Sequence, residues 1–173
     1  MRIDILTQDS RWESIPLKEP CRKALILSLA FTKENLGKYG ISVLACDDSE
    51  IANLNLKFRG VNKSTNILAW PEYDLKNDRP GSLPKGLNTI VNKCSSEISL
   101  GNLALSFDRC FSEAQQSSLN FRDYITHLCL HGCLHLLGFD HVDEKDATLM
   151  EEIEVNLLYS VGIKNPYEFD KYR

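Results

Sequence analysis

Several things are scarce in this chain of 173 residues, and each scarcity excludes something. Nine glycines and six prolines are too few for a collagen-like or low-complexity chain. No apolar run approaches the ~18 residues of a membrane span. The opening MRIDILTQDSRWESIP lacks the basic-then-apolar pattern of a secretory signal, so a cytoplasmic location is expected. Positive charge is not in excess: 20 lysines and arginines face 24 aspartates and glutamates, a net charge of -4, which argues against a protein coated in basic surface. There is no CxxC pair, and the six cysteines (21, 46, 94, 110, 129 and 133) read as reduced, mostly buried thiols rather than a disulfide framework or zinc finger.

What is present is an ordinary globular composition, 43% hydrophobic and 25% charged, long enough to bury one core. A single domain over residues 1–173 is expected. Charge is unevenly spread: between Lys57 and Lys93 seven basic residues face three acids, while between Asp140 and Glu154 seven acids face one lysine. The first stretch could attract a polyanion, although a solvated loop accounts for such a count more often.

Short apolar runs alternate with longer amphipathic ones, the rhythm of strands and helices sharing a sheet. Strands are expected over 2–6, 41–46, 66–70 and 98–105. A helix is expected from Pro20 to Lys38, stopped near Gly37 and Gly40, and another after the caps Asp47, Asp48 and Ser49, running to Gly60. Residues 72–96 are polar and longer than most compact connections, and read as a loop or insertion. Three helices follow: 108–116, then 121–137 capped by Asn120 and ended by Gly138, then one from Asp143 to Gly162. The fold class is α+β, with about four strands and five helices.

All four histidines fall in the run HLCLHGCLHLLGFDH, at 127, 131, 135 and 141. His131 and His135 are four apart on one helix, so they share a face about 6 Å apart along the axis, where two imidazoles can meet one ion. His127 lies on the same stripe but ~12 Å from His135, too far to share a centre with it. A break at Gly138 can turn the chain so that His141 joins the pair. Three imidazoles with one open position are the pattern of a catalytic zinc rather than a closed structural one. A single zinc per chain is therefore expected on His131, His135 and His141. His127 has several readings: a group behind the ligands, a proton carrier, a substrate contact or a core histidine.

The spacing H-x3-H-x2-G-x2-H also matches the zinc-peptidase pattern H-E-x-x-H-x-x-G-x-x-H, except that Gly132 stands where the glutamate base is needed. A peptidase or other metallohydrolase is thus the weaker alternative. Further, HGCLHLLGFDH resembles the signature H-G-x-L-H-L-x-G-[YF]-D-H of the YbeY family of ribosomal-RNA-maturation endoribonucleases. LNLKFRGVNKSTNILAWP is similar to that family's L-N-x-x-[YF]-R and T-D-V-L-S-F-P segments, and LGNLALS to its L-G-D-I-x-I-S. The resemblance implies an α+β fold with a small mixed sheet, and zinc on His131, His135 and His141. It also implies cleavage of single-stranded RNA, ribosomal RNA as target, association with the ribosomal small subunit, and roles in ribosome maturation and quality control.

Arg59 matches the family's important arginine, and a guanidinium fork suits the charge that gathers on phosphate oxygens during phosphoryl transfer. Lys57 and Lys63 flank it as candidate backbone contacts. With Arg59, His127 completes the candidate catalytic set. Asn66 and Asn102 stand where the family usually has Asp, so neither can supply a charged base; Ala69 and Trp70 replace Ser and Phe. A third reading is a non-catalytic ribosome-associated protein that binds RNA around a structural zinc.

Overall fold

The computed structural model describes residues 1–89, 97–117 and 119–168. Among these residues four strands form one sheet: β1 (Arg2–Thr7), β2 (Tyr39–Cys46), β3 (Ile67–Pro71) and β4 (Ile98–Ser106), in spatial order β1-β2-β4-β3. β1 and β2 run parallel, as do β2 and β4, while β3 pairs antiparallel with β4 at the edge. Five α-helices among the described residues accompany them: α1 (Lys18–Phe31), α2 (Asp48–Arg59), α3 (Phe107–Gln116), α4 (Phe121–Leu136) and α5 (Glu144–Ser160). The mixed sheet and the α+β class agree with expectation.

Strand alternation sorts the side chains onto two faces. Ile41, Val43, Ala45, Ile67, Ala69, Leu103 and Leu105 join the main core with α1 and α4, and α5 packs on α4. Cys46, Leu68 and Ala104 point the other way, where Ile51 of α2 seals a smaller cluster. Each fully buried leucine contributes about 1.5–3 kcal/mol, and α4 buries Leu130, Leu134 and Leu136 completely. That burial explains why α4 is apolar around most of its circumference.

Two local features differ from expectation. The helix expected from Pro20 to Lys38 ends at Phe31, because Lys33 takes a left-handed φ of 60° and the amide of Glu34 donates back to the Leu29 carbonyl at 2.9 Å. That closing geometry normally selects glycine, and here a lysine adopts it, so the later glycines are not the stop. A short 3-10 turn, Ser10–Ser14, also precedes α1 and buries Trp12, whose indole N–H donates to the Cys46 carbonyl at 2.9 Å. Of the expected 72–96 loop, residues 72–89 are connection with one 3-10 turn (Leu87–Thr89), and 90–96 lie outside the described residues. Leu75 and Leu87 anchor it in the core. The five described cysteines are buried free thiols, as expected, and Cys94 lies outside the described residues.

Candidate metal centre

The last turn of α4 and the chain after it build the site. Asn120 caps the start of α4 through its side chain, accepting from the Asp123 amide. At the other end, Gly138 has a φ of 90°, and an added Cβ would fall 2.7 Å from Leu75 backbone and side-chain atoms. Both conditions require glycine. The turn closes with the Phe139 amide donating to the Leu134 carbonyl at 3.1 Å, which swings the Phe139 carbonyl back over the helix. That carbonyl accepts a hydrogen bond from His135 Nδ1 at 3.0 Å. Asp140 follows, paired with Lys76 at 2.6 Å and accepting from the His141 amide at 2.8 Å, and so holds the segment that presents His141.

His131, His135 and His141 are thereby brought together, with one ligand atom from each lying within 4.8 Å of the others. His131 and His135 are half-buried and His141 is exposed. His131 Nδ1 donates to Glu154 at 2.7 Å, so both helical histidines have their Nδ1 protons committed elsewhere. Their Nε2 atoms face each other at 3.0 Å. Two lone pairs converging at that distance repel unless a cation lies between them, and ligands on a tetrahedral zinc stand roughly 3.4 Å apart given bonds of about 2.1 Å. Burial, then the neighbouring His131 and His141, push the His135 pKa down to about 4, which keeps the imidazole neutral as a ligand must be. The donor set therefore fits a metal.

His127 is set apart from this trio. It is buried, its Nε2 lies 3.2 Å from Glu154, and its ring packs edge-on against Tyr124 and Tyr167. Glu154 itself has no exposed surface, and Tyr167 also donates to it. Burial alone would raise the Glu154 pKa, but the hydrogen bonds from His127 and His131 outweigh it and hold the carboxyl down at about 2. Sequence reasoning missed Glu154. A signal existed, since it stands four residues from both Met150 and Leu158 on the buried stripe of α5.

Arg59, exposed at the end of α2, lines a cleft of about 370 Å³ together with Pro71, Tyr73, Lys76, His135 and Asp140. Arg59 and His135 thus share one opening. No ion pair among the described residues involves Lys57, Arg59 or Lys63. Trp70 is half-buried and meets Phe58 edge-on at 5.2 Å, on the opposite side of β3.

The remaining positions singled out in the sequence also have physical accounts. At Gly132 an added Cβ would come within 2.7 Å of Leu103 and 2.8 Å of Ile67, so this position faces the sheet rather than the histidines. No glutamate there could serve as a peptidase base. Asn66 donates to Glu113 at 2.7 Å, and Tyr124 donates to the same oxygen at 2.6 Å. A carboxylate at 66 would confront Glu113, whereas the amide supplies a donor. Asn102 is exposed on β4 opposite Trp70.

A mixed sheet carrying three converging histidines beside an arginine-lined cleft defines an α+β protein with a site that could hold a metal. Comparison with known proteins then narrows it. The family described as Endoribonuclease YbeY matches residues 5–162, and the chain belongs to that family. Proteins named Endoribonuclease YbeY include one from Jannaschia sp. (strain CCS1), 38% identical over 96% of this chain and 100% of its own length. Another, from Dinoroseobacter shibae, is 39% identical over 96% of this chain and 90% of its own. The solution structure of TM1509 from Thermotoga maritima superposes with a TM-score of 0.53 at 21% identity, covering 92% of this chain and 88% of that one, which is a likeness of fold.

Proposed function

We propose that this protein is a zinc-dependent endoribonuclease that cleaves single-stranded RNA in the maturation of ribosomal RNA. The observation that carries the reading is the convergence of His131, His135 and His141, of which His135 lines the same cleft as Arg59. Membership of the endoribonuclease family supports the same substrate class. The whole chain, 1–173, acts as one catalytic unit in the cytoplasm, with the ribosomal small subunit as its setting. No helix among the described residues is long and apolar enough to cross a membrane.

In this reading the three imidazoles hold zinc, which when bound supplies a Lewis acid for phosphodiester chemistry. Arg59 binds two non-bridging oxygens of the scissile phosphate through its planar fork and steadies the charge that grows there. Lys76 stays committed to Asp140, which keeps His141 in place rather than neutralising RNA. His127 acts from behind the ligands, through the carboxylate that it shares with His131.

The test is incubation of zinc-loaded and chelator-treated protein with labelled single-stranded RNA, duplex RNA and casein. Defined RNA fragments that need zinc and a single-stranded substrate are expected, with casein intact. RNA bound without cleavage would replace this reading with a non-catalytic one, and casein cleavage would return the peptidase.

A further inference from the structure

Neither metal ligation nor contact with RNA accounts for Glu154. An isolated carboxylate withdrawn from water is strongly disfavoured, and here it is satisfied by three donors: His131 Nδ1 at 2.7 Å, His127 Nε2 at 3.2 Å, and the Tyr167 hydroxyl. Each bond fixes where a proton sits. Because His131 gives its Nδ1 proton to Glu154, only Nε2 carries a free lone pair, and that atom is the one 3.0 Å from His135 Nε2. His127 takes the opposite tautomer. Its Nδ1 is buried with no partner among the described residues, so a proton there would be an orphaned donor, whereas a proton on Nε2 reaches Glu154. One carboxylate therefore sets two histidines, one helical turn apart, in opposite proton arrangements.

The two helical ligands differ in what holds them. His135 leans on the backbone carbonyl of Phe139, which no side-chain replacement removes. His131 leans on a side chain, and that side chain is gripped by Tyr167, in the segment that follows α5. The ring of Tyr167 also stands edge-on to His127 at 5.6 Å, so the segment docks against the back of the histidine cluster.

We infer that Glu154 is the positioning residue of the metal centre, and that its bond from Tyr167 couples metal binding to docking of the C-terminal segment over residues 163–168. The inference rests on His131, His135 and His141 holding a metal ion. A carboxylate that orients a ligating imidazole typically changes metal affinity 10- to 100-fold when lost. Coupling of this kind is reciprocal: whatever Tyr167 adds to metal affinity, bound metal returns to the docked segment.

The experiment uses the full chain and Zn²⁺ as the probe, with affinity read by competition against a chromophoric chelator. Glu154→Gln is expected to bind Zn²⁺ about 10- to 100-fold more weakly than wild type, and Tyr167→Phe to fall between the two. In metal-free protein, ¹⁵N spectra of the histidine rings should show His131 protonated at Nδ1 in wild type and mixed between the two nitrogens in Glu154→Gln, a change that loss of packing alone would not make. Zn²⁺ should slow amide exchange over residues 163–168 in wild type, and much less in Tyr167→Phe. Wild-type affinity in a folded Glu154→Gln protein would overturn the positioning role. Exchange in that segment indifferent to Zn²⁺ would overturn the coupling. Should Glu154→Gln fail to fold, Tyr167→Phe carries the test, and unchanged Zn²⁺ affinity in it overturns the proposal. His135→Ala keeps the two levels apart: if it retains wild-type affinity, the three-histidine centre itself is wrong, whatever Glu154 does.

Discussion

The two sides of the cleft are built on opposite principles. On the α4 side each helical histidine has its second nitrogen engaged, His131 by Glu154 and His135 by Phe139, and the turn bearing His141 is pinned by the Asp140 to Lys76 ion pair. On the α2 side Arg59 has no ion-pair partner among the described residues, and neither have Lys57 and Lys63, which flank it in the sequence. A metal site gains from ligands fixed before the ion arrives, since their ordering has already been met by folding. A phosphate site gains from cations that are not already neutralised. The contrast teaches that one wall is committed internally, while the other keeps its cation unpaired, in reserve for the RNA proposed above as substrate.

The largest effect should come from breaking the committed wall. His135→Ala removes the central ligand of the three and is expected to abolish stoichiometric zinc binding, read by elemental analysis, and with it RNA cleavage. Cys129→Ser and Cys133→Ser should retain the metal, because both thiols are buried and neither belongs to the histidine cluster. Zinc retained by His135→Ala would dissolve the distinction between the walls.

On the reserved wall, Arg59→Ala should keep zinc and fold while losing on the order of 10²-fold in single-turnover cleavage, comparable with removing one oxyanion donor. Arg59→Lys should recover only part of that loss, since an ammonium restores charge without the two-pronged geometry. Equal rates in all three proteins would make Arg59 an ordinary surface residue.

The committed wall was the more legible of the two, and only in part. Histidines four apart share a helix face by geometry alone, and Gly138 announces the break that returns His141, so the trio could be read directly. Its support could not. Glu154 reads as one more acid in a stretch with seven, and only its place on the stripe of Met150 and Leu158 marks it as buried. Tyr167 belongs to no pattern at all, because its role depends on how the chain after α5 folds back. On the other wall, Arg59 reads as a helix-terminal arginine favoured by the dipole, and the family resemblance was needed to lift it out. The strands were legible within a residue or two because they stand out as short apolar runs between longer amphipathic ones, and β2 and β4 are buried along most of their length. The stop of α1 was not, because Lys33 occupies a backbone conformation for which glycine is the usual signal.

A smaller change sharpens the packing behind the metal. Gly132→Ala would push a methyl group against Leu103 and Ile67, and overpacking of this kind costs about 1–3 kcal/mol. The contacts are with side-chain ends rather than backbone, so adjustment is expected instead of unfolding. Denaturant unfolding of the metal-free protein should show the loss, with zinc stoichiometry unchanged after loading. A neutral result would mean that α4 does not need its close approach to β3 and β4.

The smallest effect should lie at Lys57 and Lys63. Lys57 holds its ammonium 5.4 Å from the Phe58 ring, and neither lysine forms an ion pair within the described residues. If both track the RNA backbone beside Arg59, each neutralises about one phosphate and releases the counterion condensed on it. Single-stranded nucleic acid loses roughly 0.7 in the slope of log affinity against log salt for each phosphate contact removed. Lys57→Ala and Lys63→Ala should each flatten that slope by about this amount, weaken RNA binding uniformly across sequences, and leave cleavage at saturating RNA close to wild type. Binding titrations of one labelled single-stranded RNA at several salt concentrations decide the matter. An unchanged slope in the double variant would confine the reserved wall to Arg59, making it a single phosphate clamp rather than a track for the chain on either side of the cleaved bond.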